Sequence, residues 1–206
     1  MALHELRQTG QWEVVSLLTV LTADYDRVSM HGIRRELLEA QAAAAGLALR
    51  KVYIPAGGDM AEYERAMAEA MDHFRRMGVR HAAFGDLYLE GIREYREKNL
   101  ARAGMEAVFP LWGRDTRVLA EEIIDAGFRA VLTCVDGEKL DRSFAGRSFD
   151  RQLLADLPAG IDPCGENGEF HTFIHAGPIL DHPIPCRTGE VVTREGRFHF
   201  CDVLPG

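Results

Sequence analysis

Residues 13–21 read Glu-Val-Val-Ser-Leu-Leu-Thr-Val-Leu, and this stretch decides the fold class. The run is apolar and rich in β-branched side chains, which predicts a strand covered on both faces, as in a parallel sheet. Residues 2–9, just before it, place Leu3 and Leu6 three apart and end at Gly10. They predict a short helix with a glycine stop and without a capping side chain at its start.

After this strand the chain alternates between helical and extended patterns. Helices are predicted over residues 31–45, 59–77, 88–103 and 115–126, and strands over residues 49–54, 79–84, 105–109 and 128–135. Five strands joined by four helices through short loops predict α/β units in an open, mostly parallel, Rossmann-like sheet with helices on both faces. Ligands bind such sheets at the carboxyl ends of the strands. The polar residues expected at those ends are Thr22, Asp24, Gly85, Asp86, Trp112, Arg114 and Asp136.

The pattern changes at residue 137. Helical stretches interrupted by Gly146 are followed, from Thr172 onward, by short strands separated by glycine-containing turns. The sequence therefore predicts an α/β domain over residues 1–136 and a smaller C-terminal α+β appendage over residues 137–206. We expect the appendage to pack over the strand ends of the sheet.

Composition limits the classes of function. The 206 residues are 47% hydrophobic with a net charge of -8 and a pI near 5.5, which argues against a nucleic-acid partner. No run of 18 apolar residues is present and the N-terminus is charged, so neither membrane insertion nor secretion is indicated and we expect a cytoplasmic protein. The four cysteines are widely spaced, which predicts free thiols in place of a zinc site or disulfides.

Residues 162–173 contain the strongest candidate site: Asp-Pro-Cys-Gly-Glu-Asn-Gly-Glu-Phe-His-Thr-Phe. Glu166 and Glu169 flank an Asn-Gly pair, and the glycines predict a tight loop. One interpretation is a rigid loop that aims both carboxylates into one space, where they hold a cation or orient ammonia. The other is an Asn-Gly hairpin with solvated carboxylates.

Four stretches together resemble the diphthine-ammonia ligase family of ATP pyrophosphatase-like proteins: residues 162–173 above, residues 26–41 (Asp-Arg-Val-Ser-Met-His-Gly-Ile-Arg-Arg-Glu-Leu-Leu-Glu-Ala-Gln), residues 84–90 (Phe-Gly-Asp-Leu-Tyr-Leu-Glu) and residues 110–115 (Pro-Leu-Trp-Gly-Arg-Asp). The resemblance runs over almost the whole chain. It implies a nucleotide-binding fold of the adenine nucleotide alpha hydrolase type. It also implies an AMP-forming amide ligase in which ATP adenylates a carboxylate and ammonia then displaces AMP.

The candidate site residues fall into three groups, each with a plain structural alternative. The candidate catalytic residues are Glu166, Glu169 and Asp86, of which Asp86 could equally cap the following helix. The candidate nucleotide-binding residues are Thr19, Leu21, Met30, His31 and Gly85, with strand core or an ordinary first-turn histidine as the alternative. The candidate substrate-binding residues are Trp112, Arg114, Arg147, Asn167, His171 and Thr172, with surface arginines and a packed tryptophan as the alternative.

The implied small molecules are ATP, Mg²⁺ and ammonia, with an unidentified carboxylate acceptor that could be on a protein. An exposed sheet edge would favour a homodimer. A second hypothesis is an adenine-nucleotide-binding module without ligase activity. A third, sulfur or amide transfer to transfer RNA, is weakened by the acidic pI and the lack of paired cysteines.

The resemblance also implies a strand and a Ser-Gly-Gly-Lys-Asp-Ser phosphate loop ahead of the first helix, and this sequence begins inside that helix. If the 206 residues are the entire protein, we expect weak or absent ATP hydrolysis. The amides of the phosphate loop would neutralise the phosphates of ATP, and this sequence lacks that loop. ATP hydrolysis by this chain and by a chain extended upstream provides the comparison. Equal activity of the two would refute the expectation.

Overall fold

The computed structural model describes all 206 residues as a mixed α/β fold. Its helices are α1 (Ala2–Thr9), α2 (Arg35–Ala44), α3 (Met60–Arg76), α4 (Glu90–Arg102), α5 (Thr116–Asp125) and α6 (Arg151–Asp156), with a 3₁₀ turn at Arg142–Phe144. Its strands are β1 (Ser16–Thr22), β2 (Arg27–Val28), β3 (Ala48–Ile54), β4 (His81–Ala83), β5 (Glu106–Val108), β6 (Arg129–Asp136), β7 (Phe170–Ala176), β8 (Cys186–Arg194) and β9 (Phe198–Pro205).

The N-terminal strands form two small sheets with parallel pairs. In the first, β1 pairs with β3 in parallel over its full length, and β2 adds two antiparallel residues at the end of β1. In the second, β4 pairs with β5 in parallel. The outer edge of β4 and most of one edge of β1 have no strand partner. The prediction of parallel α/β units is therefore confirmed for these strands, whereas the expected homodimer stays a prediction.

The prediction of one five-stranded parallel sheet is wrong, because β6 lies in a separate antiparallel sheet of order β7-β6-β9-β8. The apolar pattern of β6 correctly indicates a strand covered on both faces. Val131 packs into one hydrophobic core and Leu132 packs into another on the opposite face of the sheet. An apolar run reports coverage of both faces and not the direction of the neighbouring strands. This antiparallel sheet is the largest in the molecule, not a minor appendage.

Asp136 is the last residue of β6 and so does not lie at the edge of the parallel strands, contrary to the sequence prediction. It is 2% exposed and receives two hydrogen bonds from Arg197, at 2.7 and 2.6 Å. The guanidinium lowers the pKa of the Asp136 carboxyl below its usual range. Asp136 therefore closes the β6–β9 end of the antiparallel sheet. The predicted domain boundary after residue 136 stays a prediction, although the pairing of β6 groups it with the later strands.

One hydrophobic core joins the N-terminal and C-terminal halves. Leu21 of β1 and Leu37 of α2 pack in the same cluster as Phe173 of β7 and Val203 of β9. Asp202 reinforces this junction. It pairs with Arg34 at 2.7 Å and with Arg27 at 2.9 Å, and these guanidinium groups lower its pKa to about 2.

Helix α2 begins at Arg35, four residues later than predicted. The delay has a backbone cause: Met30 and Gly32 both have positive φ, at +62° and +70°, which a right-handed helix does not accommodate. The residues between β2 and α2 instead form a tight turn, in which the Gly32 amide donates to the Val28 carbonyl and the Val28 amide donates to the Ile33 carbonyl. His31, in this turn, contacts His171 of the C-terminal half. None of the helices combines the length and the apolar character needed to span a bilayer. All four cysteines are free thiols, as predicted.

Candidate functional site

The acidic loop, residues 162–169, has the tight geometry that its glycines predict. Gly165 and Gly168 have positive φ, at +71° and +77°. A side chain at position 165 would come within 2.8 Å of the Phe170 carbonyl oxygen, so only glycine fits there without a shift. The two turns are closed by hydrogen bonds from Gly165 N–H to the Asp162 carbonyl and from Gly168 N–H to the Gly165 carbonyl.

Glu169 braces the loop from inside. It is 2% exposed, and its carboxylate accepts from the Asp162 amide at 3.1 Å, the Asn167 amide at 2.9 Å and the Asn167 side chain at 3.0 Å. These donors occupy both carboxylate oxygens. The contacts are those of a residue that holds the loop in shape, and its predicted catalytic role stays a prediction.

Glu166 connects the loop to the N-terminal half. Its Oε1 accepts hydrogen bonds from the backbone amides of Leu87 at 2.7 Å and Tyr88 at 3.4 Å, just after β4. Its Oε2 has no hydrogen-bond partner in the protein. Burial raises the pKa of Glu166, the two amides oppose this, and the nearby charges of Asp86 and Asp162 add to the rise. Glu166 is thus an anchored carboxylate with one free oxygen.

Three segments meet at Leu87. Its amide donates to Glu166, while its carbonyl accepts from Gly113 at 2.8 Å, in the turn after β5. The acidic loop, the residues after β4 and the Trp112 turn are therefore neighbours, as the sequence predicted. Tyr88 strengthens the contact: its hydroxyl accepts from Asn167 at 2.9 Å and donates to Asp162 at 3.3 Å.

Asp86 also lies here, but Arg96 of α4 neutralises it. Arg96 Nη2 donates to Asp86 Oδ1 at 3.1 Å, and Nε lies 2.8 Å from Oδ2 without good hydrogen-bond alignment. The guanidinium is stacked 4.4 Å from the ring centre of Phe84. Only 12% of the Asp86 side chain is exposed. Asp86 does not cap α4, which begins after Leu89 without a side-chain cap.

Aromatic rings form a column at the ends of β4 and β5. Phe84 stacks on Phe109 and Phe109 meets Trp112 edge to face, each pair with centroids 5.7 Å apart. Arg93 of α4 lies over both Phe109, at 5.2 Å, and Trp112, at 4.7 Å. Trp112 therefore lies beside the acidic loop with a cation over one of its faces, and its predicted role in substrate binding stays a prediction.

His31 and His171 meet on the other side of the acidic loop. Their ring centroids are 4.4 Å apart. Burial lowers both pKa values; the pKa of His171 falls to about 4, and His31 contributes to that fall. Met30 precedes this pair and is 55% exposed. The predicted nucleotide-side and substrate-side histidines are thus in direct contact.

Several predicted residues lie outside this constellation. Leu21 is fully buried in the core and Thr19 lies mid-strand, paired with Lys51, which fits the strand-core alternative. Arg114 is engaged by Glu5 at 3.1 Å and by Glu122, and Arg147 by Asp156 at 2.6 Å. These ion pairs stabilise the surroundings.

Gly85 lies in open space between β4 and Asp86, and a side chain there would contact nothing within 4 Å. Sequence reasoning missed the backbone amides of Leu87 and Tyr88 and the two arginines of α4. Arg93 and Arg96 lie three residues apart among the other charges of α4, and their spacing alone does not distinguish them from those charges. The backbone amides of Leu87 and Tyr88 cannot be recognised from side-chain patterns in the sequence.

Magnesium is not built into the site by these side chains. No group of three or more His, Cys, Asp or Glu residues is arranged to hold a metal ion, and Asp86 and Glu169 are engaged by protein donors. The predicted Mg²⁺ therefore stays a prediction.

Two models of known protein families together match most of the chain. The family model described as diphthamide synthase N-terminal domain matches residues 1–107, and the model described as diphthamide synthase C-terminal domain matches residues 115–201. The chain belongs to the diphthamide synthase family. Within this family assignment, β6 falls in the C-terminal match, together with the strands that pair with it.

Three proteins with sequence similarity to this chain are named diphthine–ammonia ligase. The protein of Danio rerio is 27% identical over 147 residues, which is 68% of this chain and 56% of the relative. The protein of Bos taurus is 29% identical over 111 residues (51% and 42%). The protein of Schizosaccharomyces pombe is 30% identical over 95 residues (44% and 16%). The chain thus spans at most 56% of the length of these three relatives.

The two loop glutamates are expected to respond differently to loss of charge. Glu169→Gln turns an amide N–H₂ toward buried donors, so we expect the free energy of unfolding to fall by about 2–4 kcal/mol. Glu166→Gln keeps a carbonyl oxygen for the Leu87 amide, so we expect a loss below about 1 kcal/mol. Urea unfolding of the two variants measures the difference. Equal losses for the two variants would contradict the bracing role assigned to Glu169.

The buried histidine pair should make stability fall as the pH is lowered. Because the pKa of folded His171 is about 4, the unfolded chain binds protons first, starting near its ordinary value of about 6.5. We expect this residue to lower the free energy of unfolding by about 2 kcal/mol by pH 5. Urea unfolding between pH 7 and pH 4.5 should therefore show a shallower pH dependence for His171→Phe than for the parent. The exposed His182→Phe is the control, and equal slopes for both variants would contradict the assignment.

Proposed function

We propose that this protein is an ATP-dependent amide ligase that forms AMP. In the proposed reaction, an oxygen of the acceptor carboxylate attacks the α-phosphorus of ATP and pyrophosphate leaves, which produces an acyl adenylate. The nitrogen of ammonia then attacks the acyl carbon, the bond to the AMP oxygen breaks, and a proton leaves the nitrogen. The products are an amide, AMP and pyrophosphate.

Membership of the diphthamide synthase family supports the proposal, as do relatives named diphthine–ammonia ligase. By analogy with those names, the acceptor is diphthine or a related carboxylate. We further propose that residues 1–136 bind the nucleotide and residues 137–206 supply the acidic loop, with Asp86 and the His31 turn nearest the nucleotide.

The single observation that best supports this chemistry is the anchored Glu166. Its Oε1 is fixed by the Leu87 and Tyr88 amides, its Oε2 is free, and burial raises its pKa. A fixed carboxylate with a raised pKa is suited to accept a hydrogen bond from ammonia and then take its proton. Asn167, held between Tyr88 and Glu169, is suited to orient the acceptor beside it.

The proposal is tested by incubating the chain, extended upstream as in the ATP-hydrolysis comparison above, with ATP, ¹⁵N-labelled ammonia and diphthine. We expect AMP, pyrophosphate and ¹⁵N-labelled amide in equal amounts, with none of the three formed when the acceptor is omitted. Glu166→Gln should lower kcat by about 10²–10⁴-fold, as expected when a general base is removed. Release of ADP and phosphate, or amide formation unaffected by Glu166→Gln, would contradict the mechanism.

A binding-only protein is distinguished in the same assay. An adenine-nucleotide-binding module would bind ATP, measured by calorimetry, and would release neither pyrophosphate nor amide. That outcome would replace the ligase proposal.

A further inference from the structure

Arg93 is the guanidinium of the site whose terminal nitrogens remain available. Its Nε donates to Glu97 at 2.8 Å, and neither of its Nη atoms has a hydrogen-bond acceptor in the protein. The side chain is 38% exposed. By contrast, the Nη2 of Arg96 is bound to Asp86.

The aromatic column fixes the orientation of this group. The Arg93 guanidinium carbon lies over two rings, 4.7 Å from the Trp112 centroid and 5.2 Å from the Phe109 centroid, so cation–π contact holds the group in place. Stacking of this kind pre-organises the fork of N–H donors and reduces the entropy lost when an anion binds. Lysine could not reproduce this arrangement, because its ammonium is a point charge on a flexible stem.

The charges around the site favour a role for the Arg93 guanidinium in binding an anion. The side chains around Leu87 are predominantly acidic, with Glu166 and Asp162 close by and the charge of Asp86 balanced by Arg96. An anionic substrate brought into this environment is repelled unless a cation faces it. Arg93 is connected to the same place, because Trp112 adjoins Gly113, whose amide donates to Leu87.

We propose that the two Nη groups of Arg93 bind a substrate oxyanion through paired hydrogen bonds and so position it beside Glu166. The oxyanion is either the acceptor carboxylate or a phosphate of the nucleotide, which present the same pair of oxygens. This inference rests on the proposed ligase function for its substrates. It also replaces Arg114 and Arg147, whose guanidinium groups are engaged by Glu122 and Asp156, in that role.

Trp112 supplies a readout that does not need turnover. In a Trp12→Phe background Trp112 is the remaining tryptophan, and its indole contacts the Arg93 guanidinium directly. The full chain is titrated with inorganic pyrophosphate and, separately, with butyrate while Trp112 fluorescence is recorded. Saturation with pyrophosphate assigns the site to phosphate, and saturation with butyrate assigns it to carboxylate.

Three variants in the same background test the role of Arg93. Arg93→Gln should raise the Kd of the bound probe on the order of 10- to 100-fold, because it removes a charge-assisted pair of hydrogen bonds. Arg93→Lys should retain part of the affinity. Arg151→Gln removes a surface guanidinium that is paired with Asp125 away from the site, and should leave the Kd unchanged. Unchanged binding in Arg93→Gln, or no saturable signal with either probe in the parent, would overturn the proposal.

Turnover separates this inference from the proposed function. If amide is formed, Arg93→Gln should raise KM for the substrate whose probe binds, with a smaller effect on kcat. A variant with ligase activity and unchanged KM would overturn the role of Arg93 and leave the ligase intact. Probe binding that depends on Arg93 in a chain that forms no amide would keep the anion site and remove the ligase.

Discussion

The site depends on one backbone contact, the hydrogen bonds from the Leu87 and Tyr88 amides to Glu166. They join a loop of the antiparallel sheet to the segment that follows β4, and Leu87 passes the connection on to the Trp112 turn through Gly113. Because backbone amides move only with their chain segment, the carboxylate is held more firmly than two flexible side chains would hold each other. The turns at Gly165 and Gly168 and the bracing by Glu169 make this contact geometrically available.

The three carboxylates of the site differ in the groups that surround them. Asp86 is neutralised by Arg96 against Phe84, Glu169 is satisfied by amides, and Glu166 has one free oxygen. Among these acidic groups, Glu166 therefore has the oxygen that is left without a protein partner. The acidic loop lies in the segment matched by the C-terminal family model, and the residues after β4 that it contacts lie in the segment matched by the N-terminal model.

Much of this arrangement was visible in the sequence. The Asn-Gly turn, the parallel pairing of β1 with β3, and the proximity of the acidic loop to Asp86 and Trp112 all followed from local patterns. The position of β6 did not, because a strand covered on both faces has the same apolar pattern in parallel and antiparallel sheets. The predicted start of α2 was wrong because a methionine side chain gives no indication that its backbone is left-handed, as it is at Met30.

The arginines show a different limit. Arg114 lies beside Trp112 in the sequence and was a natural candidate, yet Glu5, more than a hundred residues away, is one of its partners. Arg93 was indistinguishable from the other charges of α4 until the rings of Phe109 and Trp112 were seen beneath it. Long-range pairing decides which charges remain free, and sequence spacing does not encode it.

The core shared by Leu21, Leu37, Phe173 and Val203 bears on how molecules enter. Two lobes with separate interiors could move apart about a hinge and close on a ligand. Here such a motion would expose buried apolar packing and break the Asp202 ion pairs. We therefore expect ligands to enter through local rearrangements, such as the turning of an arginine side chain or the shift of a short turn.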